Sequence, residues 1–567
     1  MSSRFAGGVL PLQRSPERPR LRVAAWGGHP EVRVVAVLLA AAAVLFFSGL
    51  GTGTLWDQDE ARYAQGAREI LQTKDPITLH INGAPWFVHP PLYLWLEAVT
   101  GWAVGFSEFS ARVWSAIFGV VGVLVTYLLG RMLFSARTGV LGAIILMTMF
   151  QYFAQARLAI FDIVLVVFML LAFYTFLRSL RESNPRLAIW AFVWTGLGTL
   201  TKGPIAALLP GLVVGAYLGL RGELRRVREI PWPAALLAYG AIALPWYVVE
   251  TIRHGWPFVR AVIGYYTITR FVGVVENQSG PWWYYGPILV LGAFPWSAFL
   301  VAMVADHLRR TREDGSFLVL VWVTITVVFY SIAGTKLPNY VLPLYPFAAL
   351  GIAATWDRAL AGEARAQRAL HGGFAGTFVM VVLIAFGVRA FGAAHYPANF
   401  AVLQAHLLIV GGGILVGLVA ATACYLLRRP LAAFAVITAT MVALGGVLVF
   451  RTVPLIDAHR PIRTIAAAAR AELRPGDVLV GLRLAAQQTL MYYADHRVEW
   501  VEDPQVLAAI LCGHPRVVIV TSTSEFTAWT HQIIGSAGQV LAEHDGMIAV
   551  VKNGPMACPP TARPSRP

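Results

Sequence analysis

The sequence predicts a polytopic α-helical membrane protein with about thirteen transmembrane helices, followed by a small C-terminal α/β domain. Three observations predict this fold class. Of the 567 residues, 57% are hydrophobic and only 13% are charged, whereas a soluble protein carries about 25% charged residues. Apolar runs of roughly 18 to 22 residues recur over the first four-fifths of the chain, and each is long enough to cross a bilayer. After Arg451 the composition changes, and short helix and strand patterns alternate.

The N-terminal segment, residues 1–30, is rich in Arg, Pro and Gly and contains no apolar core. We therefore expect it to be a disordered cytoplasmic tail. The apolar run that follows, from about Val34 to Leu50, is nearly long enough to span a membrane and has no clear processing site. This run is predicted to be the first transmembrane helix and not a cleaved signal.

The membrane domain is predicted to cover residues 31–451. Arginines cluster in alternate loops, and because Lys and Arg are enriched in cytoplasmic loops, the N-terminus is predicted to be cytoplasmic. An odd number of spans then places the C-terminal domain on the outer side. These loops also account for the net charge of +15, so we expect contacts with membrane lipids and no nucleic-acid partner. The expected spans lie at roughly 34–50, 111–134, 138–153, 159–177, 187–201, 204–220, 234–250, 283–304, 316–333, 342–357, 373–391, 403–426 and 431–450.

Two long outer loops are predicted, at residues 51–110 and 251–282. The first is too polar to lie in hydrocarbon, and it contains two short amphipathic helix patterns that suit the membrane interface. It brings carboxylates, an arginine, a histidine and aromatic side chains to the boundary between lipid and water. These residues are Asp57, Asp59, Glu60, Arg62, Tyr63, Trp86, His89, Tyr93 and Trp95.

The C-terminal segment, residues 452–555, is predicted to fold as a small extracytoplasmic α/β domain. We expect helices at 462–473, 485–493, 504–511 and 524–534, and strands at 478–482, 497–501, 517–521, 540–543 and 547–551. The last two strands form a hairpin around Asp545-Gly546. Residues 556–567 are expected to be disordered. Cys512 and Cys558 could pair in an oxidising compartment.

Charged residues stand at the outer ends of predicted spans, at Asp162, Lys202 and Lys336. Charges at membrane depth are costly, so each is a candidate functional residue. Each also has a structural explanation, since an aspartate favours a helix N-terminus and lysines can snorkel to the interface. Likewise, His89 and Arg270 could be ordinary loop residues.

The coincidence of these groups is more informative than any one of them. The predicted topology puts all of them at one face of the membrane. Carboxylates and several cations at headgroup depth suit a substrate that carries both a sugar and a phosphate. An arginine can form paired hydrogen bonds with phosphate oxygens, and a lysine supplies a compact positive charge.

Six motifs follow one another along the chain: Asp59-Glu60-Ala-Arg-Tyr63, His89-Pro-Pro-Leu-x-x-Trp95, Asp162, Lys202-Gly203, Arg270-Phe271 and Lys336-Leu-Pro-x-Tyr340-x-Leu-Pro343. Their order resembles the ArnT-like branch of the C-type glycosyltransferases, which are related to the protein O-mannosyltransferases and to the aminoarabinose transferase that modifies lipid A. The resemblance covers the membrane region to about residue 450, and it implies the GT-C fold and a bacterial inner membrane.

The resemblance implies roles for these residues. Asp59 would be the acid at the reacting centre, and Asp162 would be a second carboxylate in the cavity. His89 stands where many relatives have a lysine that contacts the lipid phosphate, so this position departs from the family pattern. The expected substrate-binding residues are Glu60, Tyr63, His89, Lys202, Arg270, Lys336 and Tyr340. The family's usual histidine after Arg270 is absent, and the sequence gives no clear ligand set for a divalent metal, so no cofactor is predicted with certainty.

These features predict an integral-membrane glycosyltransferase that moves a sugar from a polyprenyl (undecaprenyl) phosphate donor to a lipid A-type or other envelope acceptor. Transfer would take place on the periplasmic side, by direct displacement with inversion. Two alternatives stay open: the acceptor could be a protein, or the chain could transport a lipid-linked saccharide without bond chemistry. The sequence shows no paired repeats with broken helices in matching positions, which argues against a transporter.

Overall fold

The computed structural model describes residues 30–395, 397–484, 487–530 and 538–554. The predicted tails, apart from Pro30, and Cys558 lie outside these ranges. Their predicted disorder and the pairing of Cys512 with Cys558 therefore stay predictions.

Helices make up most of the chain before residue 458. In chain order they are α1 (Pro30–Phe47), α2 (Glu60–Thr73), α3 (Leu92–Val104), α4 (Glu108–Leu133), α5 (Ala136–Thr148), α6 (Phe150–Gln155), α7 (Asp162–Arg181), α8 (Arg186–Lys202), α9 (Ile205–Leu220), α10 (Trp232–His254), α11 (Trp256–Val259), α12 (Arg270–Val272), α13 (Tyr285–Gly292), α14 (Ser297–His307), α15 (Asp314–Ile332), α16 (Leu344–Leu360), α17 (Ala364–His395), α18 (Pro397–Leu426), α19 (Pro430–Val447) and α20 (Val453–Asp457). A π-helix covers Arg260–Thr269, and a two-stranded ribbon, β1 (His80–Ile81) and β2 (Ala84–Pro85), lies between α2 and α3.

Each predicted apolar segment coincides with a helix or with two consecutive helices. By length and composition, seven helices of the described residues can cross a membrane, or eight if α13 and α14, bent by 107°, form one span. The predicted number of thirteen is larger because short helices were counted as spans. For example, α5 has 13 residues and α9 has 16, whereas a full span needs about 20.

The helices of the membrane domain begin at local signals and pack through small residues. Helix α4 starts at Ser107, whose hydroxyl accepts a hydrogen bond from the Ser110 amide at 3.2 Å, while the Ser110 hydroxyl accepts one from the Ser107 amide at 2.8 Å. This reciprocal pair forms a capping box. Helices α4 and α5 approach so closely that a Cβ at Gly139 would lie 2.6 Å from the Tyr127 carbonyl oxygen. In a bilayer the hydrophobic effect does not drive helices together, and small residues instead permit the close packing that holds them.

The C-terminal domain has the predicted α/β alternation. Its helices are α21 (Ile462–Glu472), α22 (Gln488–Ala494), α23 (Pro504–Gly513) and α24 (Thr523–Glu525). Its strands are β3 (Val478–Leu482), β4 (Val498–Val501), β5 (Arg516–Ser522), β6 (Gly538–His544) and β7 (Met547–Asn553), in the order β4-β3-β5-β7-β6. The first three strands are parallel, and the predicted hairpin β6–β7 is antiparallel. Part of the helix predicted at 524–534 lies outside the described residues.

Apolar side chains cover both faces of this sheet. Helices α21 and α22 pack on one face through Ile465 and Leu490, and α23 packs on the other through Leu507 and Leu511. Successive strand residues alternate between the two clusters, as the two-residue period of a strand requires.

The C-terminal domain rests directly on the first outer loop. The Asn82 side chain exchanges hydrogen bonds of 2.8 and 2.9 Å with the backbone of Val498. The Tyr493 hydroxyl accepts from the Leu55 amide at 2.8 Å and donates to Glu108 at 3.0 Å. The domain and the loop therefore lie on the same side of the membrane domain. Which side faces the cytoplasm stays a prediction from the arginine distribution.

Candidate active site

Glu60, the first residue of α2, fixes the start of the outer loop. It is fully buried, and its two oxygens accept two hydrogen bonds from Arg112, at 2.8 and 2.9 Å. They also accept from the backbone amides of Trp56 at 2.9 Å and Ala159 at 2.6 Å. Protein donors thus contact both oxygens, which gives Glu60 a structural role, and its predicted contact with substrate stays a prediction. Glu60 ties the loop to α4 and to the segment before α7.

Asp59 lies at the N-terminal boundary of α2, where the Tyr63 hydroxyl donates a hydrogen bond to it at 3.3 Å. Its pKa is raised, first by burial and then by the negative charge of Asp162. Arg62, the Tyr63 hydroxyl and Lys202 act in the opposite direction. The carboxylates of Asp59 and Asp162, far apart in sequence, are thus close enough to interact.

Asp162 and Lys202 form an ion pair that joins the first residue of α7 to the last residue of α8. Their side chains are only 7% and 16% exposed, so this is a buried pair. The Lys202 ammonium also lies 5.0 Å from the ring centres of Phe161 and Tyr340. The lysine therefore points into the protein, and the snorkelling explanation does not describe it.

Arg270 is oriented by two polar neighbours. Its Nε donates to the Tyr340 hydroxyl at 2.8 Å, and its Nη2 donates to Gln278 Oε1 at 2.7 Å. Glu276 lies 3.6 Å from Nη1. Since Tyr340 also faces Lys202, these contacts connect the second outer loop with the Asp162–Lys202 pair.

His89 is packed among aromatic rings, with centroid distances of 4.5 Å to Phe161, 5.7 Å to Trp86 and 6.1 Å to Tyr63. Its pKa is held well below the usual value, first by burial and then by the positive charges of three residues. These residues are Lys202, Arg270 and Arg62. His89 is therefore neutral at pH 7 in the free protein, because burial and, to a smaller extent, three nearby positive charges disfavour its protonated form.

Lys336 contacts the protein through both its ammonium and its backbone amide, and its predicted contact with substrate stays a prediction. Its ammonium donates to the Ala333 carbonyl oxygen at 2.6 Å and is mostly buried, so it satisfies a carbonyl at the C-terminal end of α15. Its backbone amide donates to the Gln278 carbonyl oxygen at 2.9 Å. The described contacts link Lys336 to the second outer loop through its backbone, and they give its ammonium a structural role.

The structure thus brings together seven of the nine predicted site residues: Asp59, Tyr63, His89, Asp162, Lys202, Arg270 and Tyr340. Sequence reasoning did not assign Arg62, Phe161 and Gln278 to the site. Arg62 had a usable signal, because it stands three residues after Asp59, on the same side of α2. Phe161 and Gln278 had none, since their roles depend on contacts with distant segments.

The arrangement is one mixed cluster in which two carboxylates, arginine and lysine side chains and aromatic rings lie close together. Within the described ranges, no group of three or more His, Cys, Asp or Glu side chains lies close enough to hold a metal ion.

The fold is that of a multi-pass membrane protein, and it is similar to a solved structure over nearly its whole length. The chain matches the structure of ArnT from Cupriavidus metallidurans bound to undecaprenyl phosphate with a TM-score of 0.78 and 21% identity, over 92% of this chain and 99% of that one. Residues 88–248 match the family model of dolichyl-phosphate-mannose-protein mannosyltransferases.

Sequence comparison leads to the same group. The chain is 31% identical over 338 residues to undecaprenyl phosphate-alpha-4-amino-4-deoxy-L-arabinose arabinosyl transferase 2 of Pseudomonas fluorescens, covering 59% of this chain and 58% of the relative. It is 32% identical over 348 residues to the corresponding transferase of Pseudomonas savastanoi, covering 60% of this chain and 64% of the relative. The matched regions thus span about three-fifths of these relatives. The resemblance to ArnT-like glycosyltransferases, predicted from the motifs, is confirmed.

Proposed function

We propose that this protein transfers a sugar from a polyprenyl (undecaprenyl) phosphate donor to a lipid A-type or other envelope acceptor at the outer face of a bacterial inner membrane. The observation that carries the proposal is the single cluster in which Asp59 and Asp162 face the cations Lys202, Arg270 and Arg62. The names of the relatives, which describe undecaprenyl phosphate-linked aminoarabinose transfer, support this choice of donor.

The phosphate of the donor would occupy the positive side of the cluster. Arg270 is held there by Tyr340 and Gln278, so its guanidinium is oriented before the donor arrives. The three cations that lower the pKa of His89 create the potential that an anionic group would meet. A phosphate leaving group is a weak base and needs little protonation. It needs positive charge close to its developing dianion, and this cluster supplies such charge without reorganisation.

The role of Asp59 depends on the acceptor. For a hydroxyl acceptor, Asp59 would remove the proton as a general base, an effect of about 10²–10⁴-fold on rate. Its raised pKa makes it a stronger base than an ordinary aspartate. For a phosphate acceptor, the nucleophile is already ionised, and Asp59 and Asp162 would position the sugar and stabilise positive charge that develops on it. Either path displaces the lipid phosphate directly and inverts the anomeric carbon.

An Asp59→Asn variant tests the proposal. The change keeps the size of the side chain and removes its charge and basicity, so we expect transfer of a radiolabelled sugar from polyprenyl phosphate to fall at least about 100-fold. The variant should elute and melt like the wild-type protein in detergent. Full activity of the variant would rule out the assigned role, and movement of labelled donor across vesicles without a new product would favour a transporter.

A second acceptor class has one observation in its favour. Residues 88–248 match a family model described as dolichyl-phosphate-mannose-protein mannosyltransferase, which suggests a protein acceptor. Mass spectrometry of lipid A and of envelope glycoproteins, with and without this protein, separates the two. A mass difference on lipid A supports the lipid acceptor, and a difference confined to peptides supports the protein acceptor.

A further inference from the structure

Residues 54 to 57, which lie just before Asp59 in the first outer loop, contact the C-terminal part of the chain. Thr54 donates through its amide and hydroxyl to Asp457, at 2.9 and 2.5 Å. Leu55 donates its amide to the Tyr493 hydroxyl at 2.8 Å. Every residue from 54 to 57 thus contacts the part of the chain between Asp457 and Tyr493, because Trp56 and Asp57 have partners there too.

Asp57 has the most specific of these contacts. Its Oδ1 accepts hydrogen bonds from both the amide of Thr489, at 3.1 Å, and the Thr489 hydroxyl. Its Oδ2 lies 3.6 Å from the guanidinium of Arg460. The same guanidinium lies 4.7 Å from the ring centre of Trp56 and donates to the Leu55 carbonyl oxygen at 3.2 Å. Although Asp57 belongs to the acidic motif, its carboxylate is thus engaged by the C-terminal domain.

The backbone between Asp57 and Asp59 is strained. Gln58 has a φ of +71°, in the left-handed region that non-glycine residues rarely adopt. Such a conformation persists only where surrounding contacts fix it. Here, the contacts on one side are those of Asp57, and on the other side the Glu60 cluster fixes the start of α2.

We propose that the C-terminal domain is a positioning element for catalysis, in which Thr489 and Arg460 hold Asp57 so that Asp59 stays beside Asp162. This inference rests on the proposed function of Asp59.

Electrostatics explains why such a restraint is needed. Asp59 and Asp162 repel each other, and Asp59 is partly withdrawn from water. A loop free to move would relax by turning Asp59 towards solvent, where its charge is better stabilised. The Asp57 contacts oppose this relaxation. A displacement of about 1 Å at a reacting group can cost roughly 100-fold in rate, so loss of the restraint would reduce turnover more than donor binding.

A Thr489→Val variant tests the proposal, because it removes the hydroxyl donor and preserves the shape of the side chain. We expect kcat to fall about 10- to 100-fold while KM for the donor changes less than about twofold. Thr489→Ser restores the hydroxyl and should recover kcat. The matched control is Asp495→Asn, which removes the domain's ion pair with Arg68 on α2 and should leave kcat within about twofold of wild type.

Amide hydrogen exchange gives a readout that does not depend on activity. Exchange at residues 56–63 should become faster in Thr489→Val and in Asp57→Ala, and it should stay at the wild-type rate in Asp495→Asn. Unchanged exchange there together with unchanged kcat in folded Thr489→Val and Asp57→Ala overturns the positioning role. A fall in kcat in all variants, including Asp495→Asn, also overturns it, since a general interface effect then explains the loss.

The same design separates this inference from the proposed function. If Asp59→Asn keeps full activity, the function assigned to Asp59 fails whatever Thr489→Val does. If Asp59→Asn is inactive and the Thr489 and Asp57 variants are folded and fully active, the function stands and the positioning inference fails.

Discussion

The buried pair between Asp162 and Lys202 gives the sharpest prediction. Replacing Lys202 with Met leaves Asp162 without its counter-charge, and Asp162→Asn leaves the lysine unpaired. Side-chain exposures of 7% and 16% place the pair among buried ion pairs. An exposed pair would contribute about 0–1 kcal/mol, whereas breaking a buried pair from one side costs about 3–5 kcal/mol.

The double variant is expected to be more stable than either single variant. Replacing both partners removes the two charges together, and such replacements are often close to neutral. We therefore expect Lys202→Met and Asp162→Asn each to lower the free energy of unfolding in mixed micelles by about 3–5 kcal/mol, and the double variant to regain most of that loss.

The two single variants shift the pH dependence of transfer in opposite directions. Asp162 raises the pKa of Asp59, and Lys202 lowers it. Removing the negative charge of Asp162 therefore lowers the pKa of Asp59, so the acid limb of the pH–rate profile moves to lower pH. Removing the positive charge of Lys202 moves the acid limb to higher pH.

Transfer from polyprenyl phosphate sugar, measured as kcat/KM across pH, reports these shifts, and the detergent-purified wild type is the reference. Movement of both single variants in the same direction would refute the assignment of Asp59 as the titrating group. Additive stability losses in the double variant would refute the pair itself.

Three further predictions follow from the site. Arg270→Lys cannot keep both guanidinium hydrogen bonds, to Tyr340 and to Gln278, so transfer should fall on the order of 100-fold, and Arg270→Ala should be no better. Equal activity of the lysine variant would contradict an orienting role. Glu60→Gln removes the charge that Arg112 neutralises, so we expect unfolding to become easier by about 3–5 kcal/mol; a stable variant with a raised donor KM would instead support substrate contact. His89 should take up a proton when a phosphate binds, so wild-type affinity for polyprenyl phosphate should rise as pH falls, while His89→Lys should lack this rise in titrations at several pH values.

Much of the fold could be predicted because hydrophobicity in a membrane protein is a local property. Each apolar segment appeared where the sequence placed it, and the C-terminal strands agreed to within two residues at most ends. The number of membrane crossings was less well predicted, since the length of a helix such as α9 depends on its neighbours. The expected roles of individual residues came from the family resemblance, because composition does not indicate the role of a single residue.

Glu60 and Lys336 differ from the other predicted site residues in their contacts, and one physical reason explains why the sequence does not separate them. Glu60 and Lys336 carry the same charges as Asp59 and Lys202, so no sequence pattern separates them. The Glu60 carboxylate forms an ion pair with Arg112 from α4, and the Lys336 ammonium donates a hydrogen bond to a carbonyl at the end of α15. Whether a charge faces a substrate or a protein partner depends on contacts between distant segments.

The sequence alone determined that this chain crosses a membrane repeatedly, that its acidic and basic motifs lie in polar loops, and that an α/β domain follows. These properties depend on local hydrophobic periodicity and on the high cost of burying charge in lipid. Only the tertiary structure decided which charges meet. It paired Asp162 with Lys202 and placed Thr489 against Asp57, more than 400 residues away in sequence, because such contacts follow from packing and not from local sequence.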